Sequence, residues 1–384
     1  MKTPKDNGKE SQYSFDEVNA IVDRYRNDVI GHAIFKEILE DTLNFLMTSP
    51  GKRVVLIYGP TGCGKTKLGE ILVNRITNTI AASTEHDPGR IIAAMSRVPS
   101  SHSSTYDWND VYIHALQALN EPLIDFKTNV RETRRDAEGK VVLERTSKNI
   151  LRRTLIKCLE NRKLRMYFWD EGHHFAKFAN AKLLLQQMEN IKYILDESKT
   201  SFVLAGIYDI LELKDLSGQL GRRAIKKHFC RYNLENESDK VNFNLYLFTL
   251  QSKLPLPQKP NFVDDATFFY ERCLGCAGIL KDLLSDSLVT ALMNGMTTLT
   301  KDVIEENVDW PTLAKIKEEI EEGEALVSVL AQEEAKQKVQ FFLGTSSPSE
   351  ENKSSVQVGS LKKQNNSQGK RVGERKPHRD PIGE

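Results

Sequence analysis

The feature that most restricts the fold of this chain is a glycine-rich loop between a strand pattern and a helix pattern. The run Arg53–Tyr58 is continuously apolar after its first residue, which predicts a buried parallel strand, and residues 65–77 have helical spacing. The loop matches G-x-x-x-x-G-K-[ST] and consists of Gly59, Pro60, Thr61, Gly62, Cys63, Gly64, Lys65 and Thr66. In this strand–loop–helix context, the pattern predicts a phosphate-binding P-loop.

The residue types of this loop suit a nucleoside triphosphate with Mg²⁺. Glycines let the backbone curl so that several N–H groups face one point, and the helix N-terminus adds a positive dipole end. Lys65 is expected to reach the β- and γ-phosphates, and the Thr66 hydroxyl to ligate Mg²⁺. The predicted nucleotide-binding segment extends to Lys67. We therefore expect ATP and Mg²⁺ as ligands.

A second motif follows about a hundred residues later, where the apolar run 166–169 ends in Asp170 and Glu171. Ligands of open α/β sheets bind at the carboxyl ends of strands. We expect Asp170 to hold Mg²⁺ through water and Glu171 to orient and deprotonate the attacking water. Two acids here favour ATP hydrolases over GTPases and nucleotide kinases. His173 and His174 are adjacent, so they cannot form a helical i,i+4 zinc pair; His173 is interpreted as either a relay or a structural residue.

Strand and helix patterns alternate along the first 235 residues, which predicts a parallel sheet covered by helices. Five strands are expected, the last at 228–234, and the fold class is α/β with a smaller helical lid. The predicted lid helices are 238–251, 264–274, 278–294 and 301–307. The expected organisation is a flexible N-terminus (1–14), an α/β nucleotide-binding domain (15–235), a helical lid domain (236–330) and a mostly disordered basic tail (331–384).

The two motifs, the stretch Val29–Gly31 and the trailing helices together resemble an AAA+ module across residues 15 to 310. More narrowly, the segments 170–175 (DEGHHF), 202–206 (FVLAG) and 219–223 (QLGRR) resemble the TniB/TnsC group of transposon-encoded ATPases. That resemblance implies an ATPase that assembles on double-stranded DNA as a homo-oligomeric ring or helical filament. It further implies recruitment of transposase and target-selector proteins, and disassembly on hydrolysis.

The resemblance also assigns residues outside the two motifs. Arg222 and Arg223 lie where AAA+ subunits present an arginine to the neighbour's γ-phosphate, with a solvated basic turn as the alternative. Lys281 stands at the position of a lid arginine and is expected to bind nucleotide, although lysine cannot form a bidentate fork. Ile207 occupies a sensor position usually held by Thr or Asn. These departures predict slow hydrolysis.

The most basic part of the nucleotide-binding domain is 127–165, with thirteen Lys or Arg and five acidic residues. A hairpin turning at 136–140 is predicted, followed by a helix that carries Lys148, Arg152 and Arg153. These three are candidate phosphate contacts on DNA, and a solvated helix face is the alternative. The tail is also basic, with eight Lys or Arg and one acid between 353 and 379.

Two other functions remain compatible with the sequence: a replication initiator or loader ATPase, and a defence or signalling switch that holds a protein partner without nucleic acid. No run of 18 apolar residues occurs, so no membrane association is expected and a cytoplasmic location is predicted. Five scattered cysteines are expected to be reduced thiols. The Cys273-x-x-Cys276 pair is interpreted as a helix end rather than a zinc site, because no second pair follows.

Overall fold

A computed structural model provides the structure of this chain. It describes residues 13–48, 54–82, 87, 89–100, 107–122, 124, 131–135, 141–144, 148–176, 181–215, 224–328, 336–337, 339–340 and 343. The chain divides into two units, Met1–Val327 and Ser328–Glu384. In the second unit, residues 336–337 and 339–340 are helical.

The first unit is built on a five-stranded, all-parallel sheet. Its strands are β1 (Val54–Tyr58), β2 (Ala93–Arg97), β5 (Met166–Asp170), β6 (Ser201–Gly206) and β7 (Ala224–His228), in the order β2-β5-β6-β1-β7. Strand β1 is buried throughout, with Val55 and Ile57 in the core on one face and Val54 and Leu56 in the core on the other. Both faces are therefore covered, as parallel sheets require. The predicted α/β class with a five-stranded parallel core is confirmed.

Helices cover the sheet and continue beyond it. They are α1 (Phe15–Asn27), α2 (Ala33–Thr48), α3 (Lys65–Ala81), α4 (Trp108–Ala118), α5 (Lys148–Asn161), α6 (Ala181–Ser198), α7 (Glu212–Asp215), α8 (Glu237–Lys253), α9 (Ala266–Cys273), α10 (Ala277–Met293), α11 (Lys301–Glu306) and α12 (Trp310–Val327). Three 3₁₀ turns span Gly172–Phe175, Tyr208–Leu211 and Val263–Asp265.

A separate two-stranded antiparallel sheet precedes α5. It consists of β3 (Arg131–Arg135) and β4 (Val141–Glu144), with a register shift between Glu132 and Arg134. The hairpin predicted from the turn signal at 136–140 is confirmed by these strands, while the turn itself lies outside the described residues. A basic hairpin therefore interrupts the α/β alternation immediately before the helix that carries the candidate DNA contacts.

Two parts of the first unit differ from the sequence-based expectations. The edge strand β7 spans 224–228 rather than 228–234. Residues Phe229 and Tyr232, which lie in the predicted range, are instead buried in the core in the connection that follows β7. Helix α12 was not predicted, because its buried positions are only Leu313, Ile320 and Gly323, too few to show clear periodicity.

Helix α10, in the segment predicted to be a lid, lies against the nucleotide-binding loop. The Gly278 N–H at the start of α10 donates to the Gly62 carbonyl at 2.7 Å, and a side chain at Gly62 would meet Ile279. The cysteine pair lies at helix ends, as expected: Cys273 is the last residue of α9, and Cys276 precedes α10. All five cysteines are free thiols.

Candidate nucleotide site

The P-loop connects β1 to α3 in a conformation that only glycine adopts easily at two positions. Gly62 and Gly64 have φ angles of 79° and 100°. Gly59 is required for a different reason, because a Cβ there would lie 2.0 Å from the Phe229 carbonyl oxygen. The loop thus passes closer to the segment after β7 than a side chain would allow, and it opens at the N-terminus of α3.

The Lys65 amine is directed back onto the loop. Its Nζ donates to the carbonyl oxygens of Gly59 at 2.8 Å and Pro60 at 2.7 Å. A lysine on a flexible stem can exchange such carbonyl partners for phosphate oxygens. The neighbouring Lys67 pairs with Glu70 at 2.7 Å on the exposed side of α3, although Lys67 also lines the cavity described below.

The structure brings the two motifs into contact. Thr66 Oγ1 donates to Asp170 Oδ2 at 2.7 Å, and the Asp170 residue is only 2% exposed. Asp170 is the last residue of the interior strand β5, which brings its carboxylate to the carboxyl edge of the sheet beside the start of α3. A hydroxyl and a buried carboxylate in contact are the oxygen donors that Mg²⁺ takes in proteins.

Glu171 leaves the strand in a left-handed conformation, with φ 55° and ψ 34°. Its Oε2 lies 3.3 Å from Nδ1 of the buried His173. The neighbouring His174 has its Nδ1 at 2.9 Å from the Val98 carbonyl. Glu171, His173 and His174 each offer a ligand atom within 4.8 Å of the others, the one such group found among the described residues. Glu171 is half-buried at this edge and remains accessible to a water molecule.

A cavity of about 210 Å³ adjoins the P-loop at Cys63 and Gly64, and neither Asp170 nor Glu171 lines it. The end of α1 with the segment after it, including Val29 and Ile30, forms one wall, and lid helices α8 and α10 form the other. His32 lines it, with Nδ1 2.9 Å from the Tyr232 hydroxyl. Burial, followed by the charge of Lys36, lowers the pKa of His32 to about 4, so its ring is neutral. This apolar cavity beside a P-loop is where a nucleotide base would fit.

Lys281 projects into this cavity from α10. Its residue is 9% exposed, and its Nζ lies 3.8 Å from the centroid of the Tyr25 ring. Within the described residues, this Nζ has no hydrogen-bond partner. Burial lowers the pKa of Lys281 to about 8, although Asp28 opposes the shift. Lys281 is therefore a desolvated cation in this cavity, which Asp170 and Glu171 do not line.

One contact that the sequence did not predict reaches the P-loop from α12. The Glu319 carboxylate accepts hydrogen bonds from the Thr61 backbone N–H (Oε1, 3.0 Å) and from the Thr61 hydroxyl (Oε2, 3.0 Å). Five residues further along the helix, Glu324 forms a bidentate pair with Arg231, at 2.8 Å to Nε and 3.0 Å to Nη2. No sequence motif identifies Glu319 or Arg231, since neither belongs to a local pattern.

Comparison with known proteins agrees with this geometry. A family model described as "AAA domain" matches residues 49–213, which include the P-loop, Asp170 and Glu171. The chain contains an AAA-type P-loop ATPase domain. A search of curated proteins found no match to this chain.

Several solved structures are similar to this chain at low sequence identity. The ORC2 protein of Aeropyrum pernix, solved as ADPNP–ADP complexes, is 15% identical, with 79% of this chain and 70% of that chain covered and a TM-score of 0.47. Drosophila ORC bound to DNA is 11% identical, with coverages of 91% and 84% and a TM-score of 0.43. A Walker-type ATPase of Pyrococcus abyssi is 12% identical, with coverages of 75% and 74% and a TM-score of 0.46. Sequence identities and TM-scores this low say nothing about the activity of this chain.

Of the remaining predicted site residues, the structure describes Lys148, Arg152 and Arg153, which all lie on α5. Arg222 and Arg223 lie outside the described residues. Lys148 is the first residue of α5, and Arg153 is exposed on the same helix. Arg152 instead packs against α6, with Nη1 3.2 Å from Asn190 Oδ1 and its guanidinium 4.5 Å from the centroid of Tyr193. In the described part of the chain, no helix is both long and apolar enough to cross a membrane.

Proposed function

We propose that this protein binds and slowly hydrolyses ATP and uses the cycle to assemble on double-stranded DNA. The observation that carries the ATP part is the contact of Thr66 with the buried Asp170, next to a P-loop whose backbone leaves no room for a side chain at Gly59. The glycine conformations and the oxygen donors fit a Mg²⁺-bound triphosphate. Bound Mg²⁺ would neutralise negative charge on the phosphate oxygens.

Each residue of the site has a distinct task in this proposal. Lys65 exchanges the Gly59 and Pro60 carbonyls for phosphate oxygens, and Thr66 and Asp170 hold the metal. Glu171 orients a water molecule and accepts its proton. Lys281 supplies a cation to the nucleotide on the base side of the loop.

We propose a homo-oligomeric assembly in which Arg222 or Arg223 reaches the site of a neighbouring subunit. An arginine supplied across an interface couples hydrolysis to assembly. Mixing an Arg222→Ala/Arg223→Ala subunit with a Lys65→Ala subunit should restore part of the ATPase activity, because each supplies what the other lacks. If no ratio restores activity although the mixture assembles, these arginines do not act in trans.

The DNA part of the proposal rests on charge. Lys148 begins α5 and Arg153 is exposed on it, and the basic hairpin β3–β4 precedes this helix. Contacts of lysine and arginine with phosphates give affinity without reading sequence. Arg152 contributes less in this proposal, because its guanidinium is already held by Asn190 and Tyr193.

Fluorescence anisotropy tests the DNA contacts with two unrelated duplexes, a salt series and a slowly hydrolysed ATP analogue. Removing one phosphate-binding side chain should reduce the slope of log affinity against log salt by about 0.9, so Lys148→Ala/Arg153→Ala should reduce it by up to about 1.8 on both duplexes. Lys240→Ala/Lys301→Ala, a matched change of two exposed lid lysines, should leave the slope unchanged. Equal salt slopes for the two double variants would show that Lys148 and Arg153 of α5 do not contact DNA phosphates.

Within this function, we propose regulation of transposition as the role, with transposase and target-selector proteins as partners. The support is the resemblance of segments 170–175, 202–206 and 219–223 to the TniB/TnsC group. Negative-stain images with DNA and the ATP analogue should contain rings or filaments along the duplex, and transposase encoded beside such a protein should bind these assemblies. Monomers under those conditions would refute the assembly, and assemblies that bind no transposase would refute the role.

A further inference from the structure

Helix α12 returns from the lid to the P-loop, and its Glu319 carboxylate occupies a pair of donors there. The Thr61 N–H and hydroxyl both donate to it, at 3.0 Å each. Lys65 Nζ is likewise held by protein oxygens, those of Gly59 and Pro60. A loop built to hold an anion therefore has three of its donor groups engaged internally, two of them by an anion of the chain itself.

Two further contacts hold α12 in this position. Glu324 forms the bidentate pair with Arg231, and Arg231 Nη1 also donates to the Tyr270 hydroxyl at 2.7 Å. Gly323 lies directly against the Tyr208 ring, so closely that a Cβ would lie 2.0 Å from Tyr208 Cδ2. The helix is thus docked by an ion pair and by a steric fit, independently of Glu319.

A bound triphosphate and the Glu319 carboxylate would be negative charges in the same loop. Charges of like sign a few ångströms apart repel each other. A triphosphate carries more negative charge than a diphosphate, so the repulsion is greater for ATP than for ADP. Release of Glu319 would also free the Thr61 N–H as a donor for the nucleotide.

We propose that α12 is a nucleotide-responsive strap, in which Glu319 competes with the terminal phosphate and ATP binding releases the helix from the P-loop. This inference rests on the proposed ATP binding. Because coupling between two binding events is reciprocal, docking of α12 must weaken ATP binding by the same factor by which ATP weakens docking. The strap would keep the site closed until ATP is present.

Three variants of the full chain test the strap through nucleotide affinity. Glu319→Gln removes the charge at Thr61, and Gly323→Ala undocks α12 by steric overlap with Tyr208 while improving helix propensity. Both should bind a fluorescent ATP analogue more tightly, about fivefold or more, with a smaller gain for the ADP analogue. Glu322→Gln makes the same charge change at an exposed position of α12 and should match the wild type.

Hydrogen exchange of residues 310–327 provides a second measurement that does not depend on activity. In the wild type, ATP should accelerate exchange in this segment and ADP should do so less. In Gly323→Ala, exchange should already be fast without nucleotide, because the steric fit against Tyr208 is lost. ATP binding with unchanged exchange, or lower ATP affinity in Glu319→Gln, would overturn the strap and leave the proposed ATP binding intact. Failure of every variant and the wild type to bind ATP would overturn both.

Discussion

Replacing Lys281 with methionine should stabilise the protein and weaken nucleotide binding. The Lys281 ammonium is buried on α10 with the Tyr25 ring as its neighbour and without a hydrogen-bond partner in the described residues. Methionine has a similar length and no charge, so it keeps most of the packing against Tyr25. The variant thus removes the free-energy cost of burying the Lys281 charge. We expect nucleotide binding to need this charge, whereas folding does not.

The magnitude follows from the pKa of Lys281, which burial lowers from 10.5 to about 8. Such a difference corresponds to about 3 kcal/mol between the charged and neutral forms. The open side of the cavity retains some hydration, and the cation–π contact with Tyr25 is worth about 1 kcal/mol. We therefore expect Lys281→Met to raise the free energy of unfolding by about 1–2 kcal/mol at pH 7.

The pH dependence gives this prediction a definite sign. Below pH 8 lysine is charged in both the folded and unfolded states, so the cost is fully present. Between about pH 8 and 10.5 the unfolded chain binds the proton more strongly, so the stability of the wild type rises relative to that of Lys281→Met. The advantage of the variant should shrink across this window.

Urea denaturation at pH 7 and pH 10 measures the free energies, and Lys240→Met provides the matched control at an exposed lysine. Titration of a fluorescent ATP analogue at pH 7 should reveal a loss of affinity of about tenfold in Lys281→Met only. A destabilised Lys281→Met protein, or a stability difference independent of pH, would refute the account of a desolvated cation. Unchanged ATP affinity would refute its role in nucleotide binding.

Three further predictions concern the same site. Glu171→Gln should keep ATP affinity but lower kcat by about 100-fold or more, because the amide cannot accept a proton; normal steady-state hydrolysis would place the base elsewhere. The unfolding free energy should fall as pH drops from 6.5 towards 4, by up to about 3 kcal/mol from His32, whose folded-state pKa of about 4 lies below its ordinary value. In His32→Gln, the unfolding free energy measured by urea denaturation should fall less between pH 6.5 and 4. An equally large fall in this variant would mean that other groups cause the loss of stability. Gly59→Ala should cost about 1–3 kcal/mol in the same denaturation assay, because its Cβ would meet the Phe229 carbonyl, and wild-type stability would contradict the observed approach.

The sequence alone determined the elements whose signal is local. The P-loop pattern lies in eight consecutive residues, and the run ending in Asp170 and Glu171 is equally contiguous, so the strand–loop–helix context could be recognised in each case. Because parallel strands align their carboxyl ends at one edge, the meeting of Thr66 with Asp170 across about a hundred residues could also be expected. Strand β1 was predicted from its continuous apolar run, and the helices after residue 236 from the helical spacing of their apolar residues.

Tertiary structure decided what depends on neighbours distant in the sequence. Strand β7 lies at the sheet edge and contains two adjacent lysines, so its strand propensity is weak and its position is set by pairing with β1. Lys281 lies on a helix, as predicted, but the docking of α10 against α1 directs its amine to Tyr25. Helix α12 buries few apolar residues, and its contact with the P-loop depends on Glu319, one acid in an acidic stretch. Only folding distinguishes that carboxylate from its exposed neighbours, because the distinction is the proximity of the Thr61 donors and not a property of the local sequence.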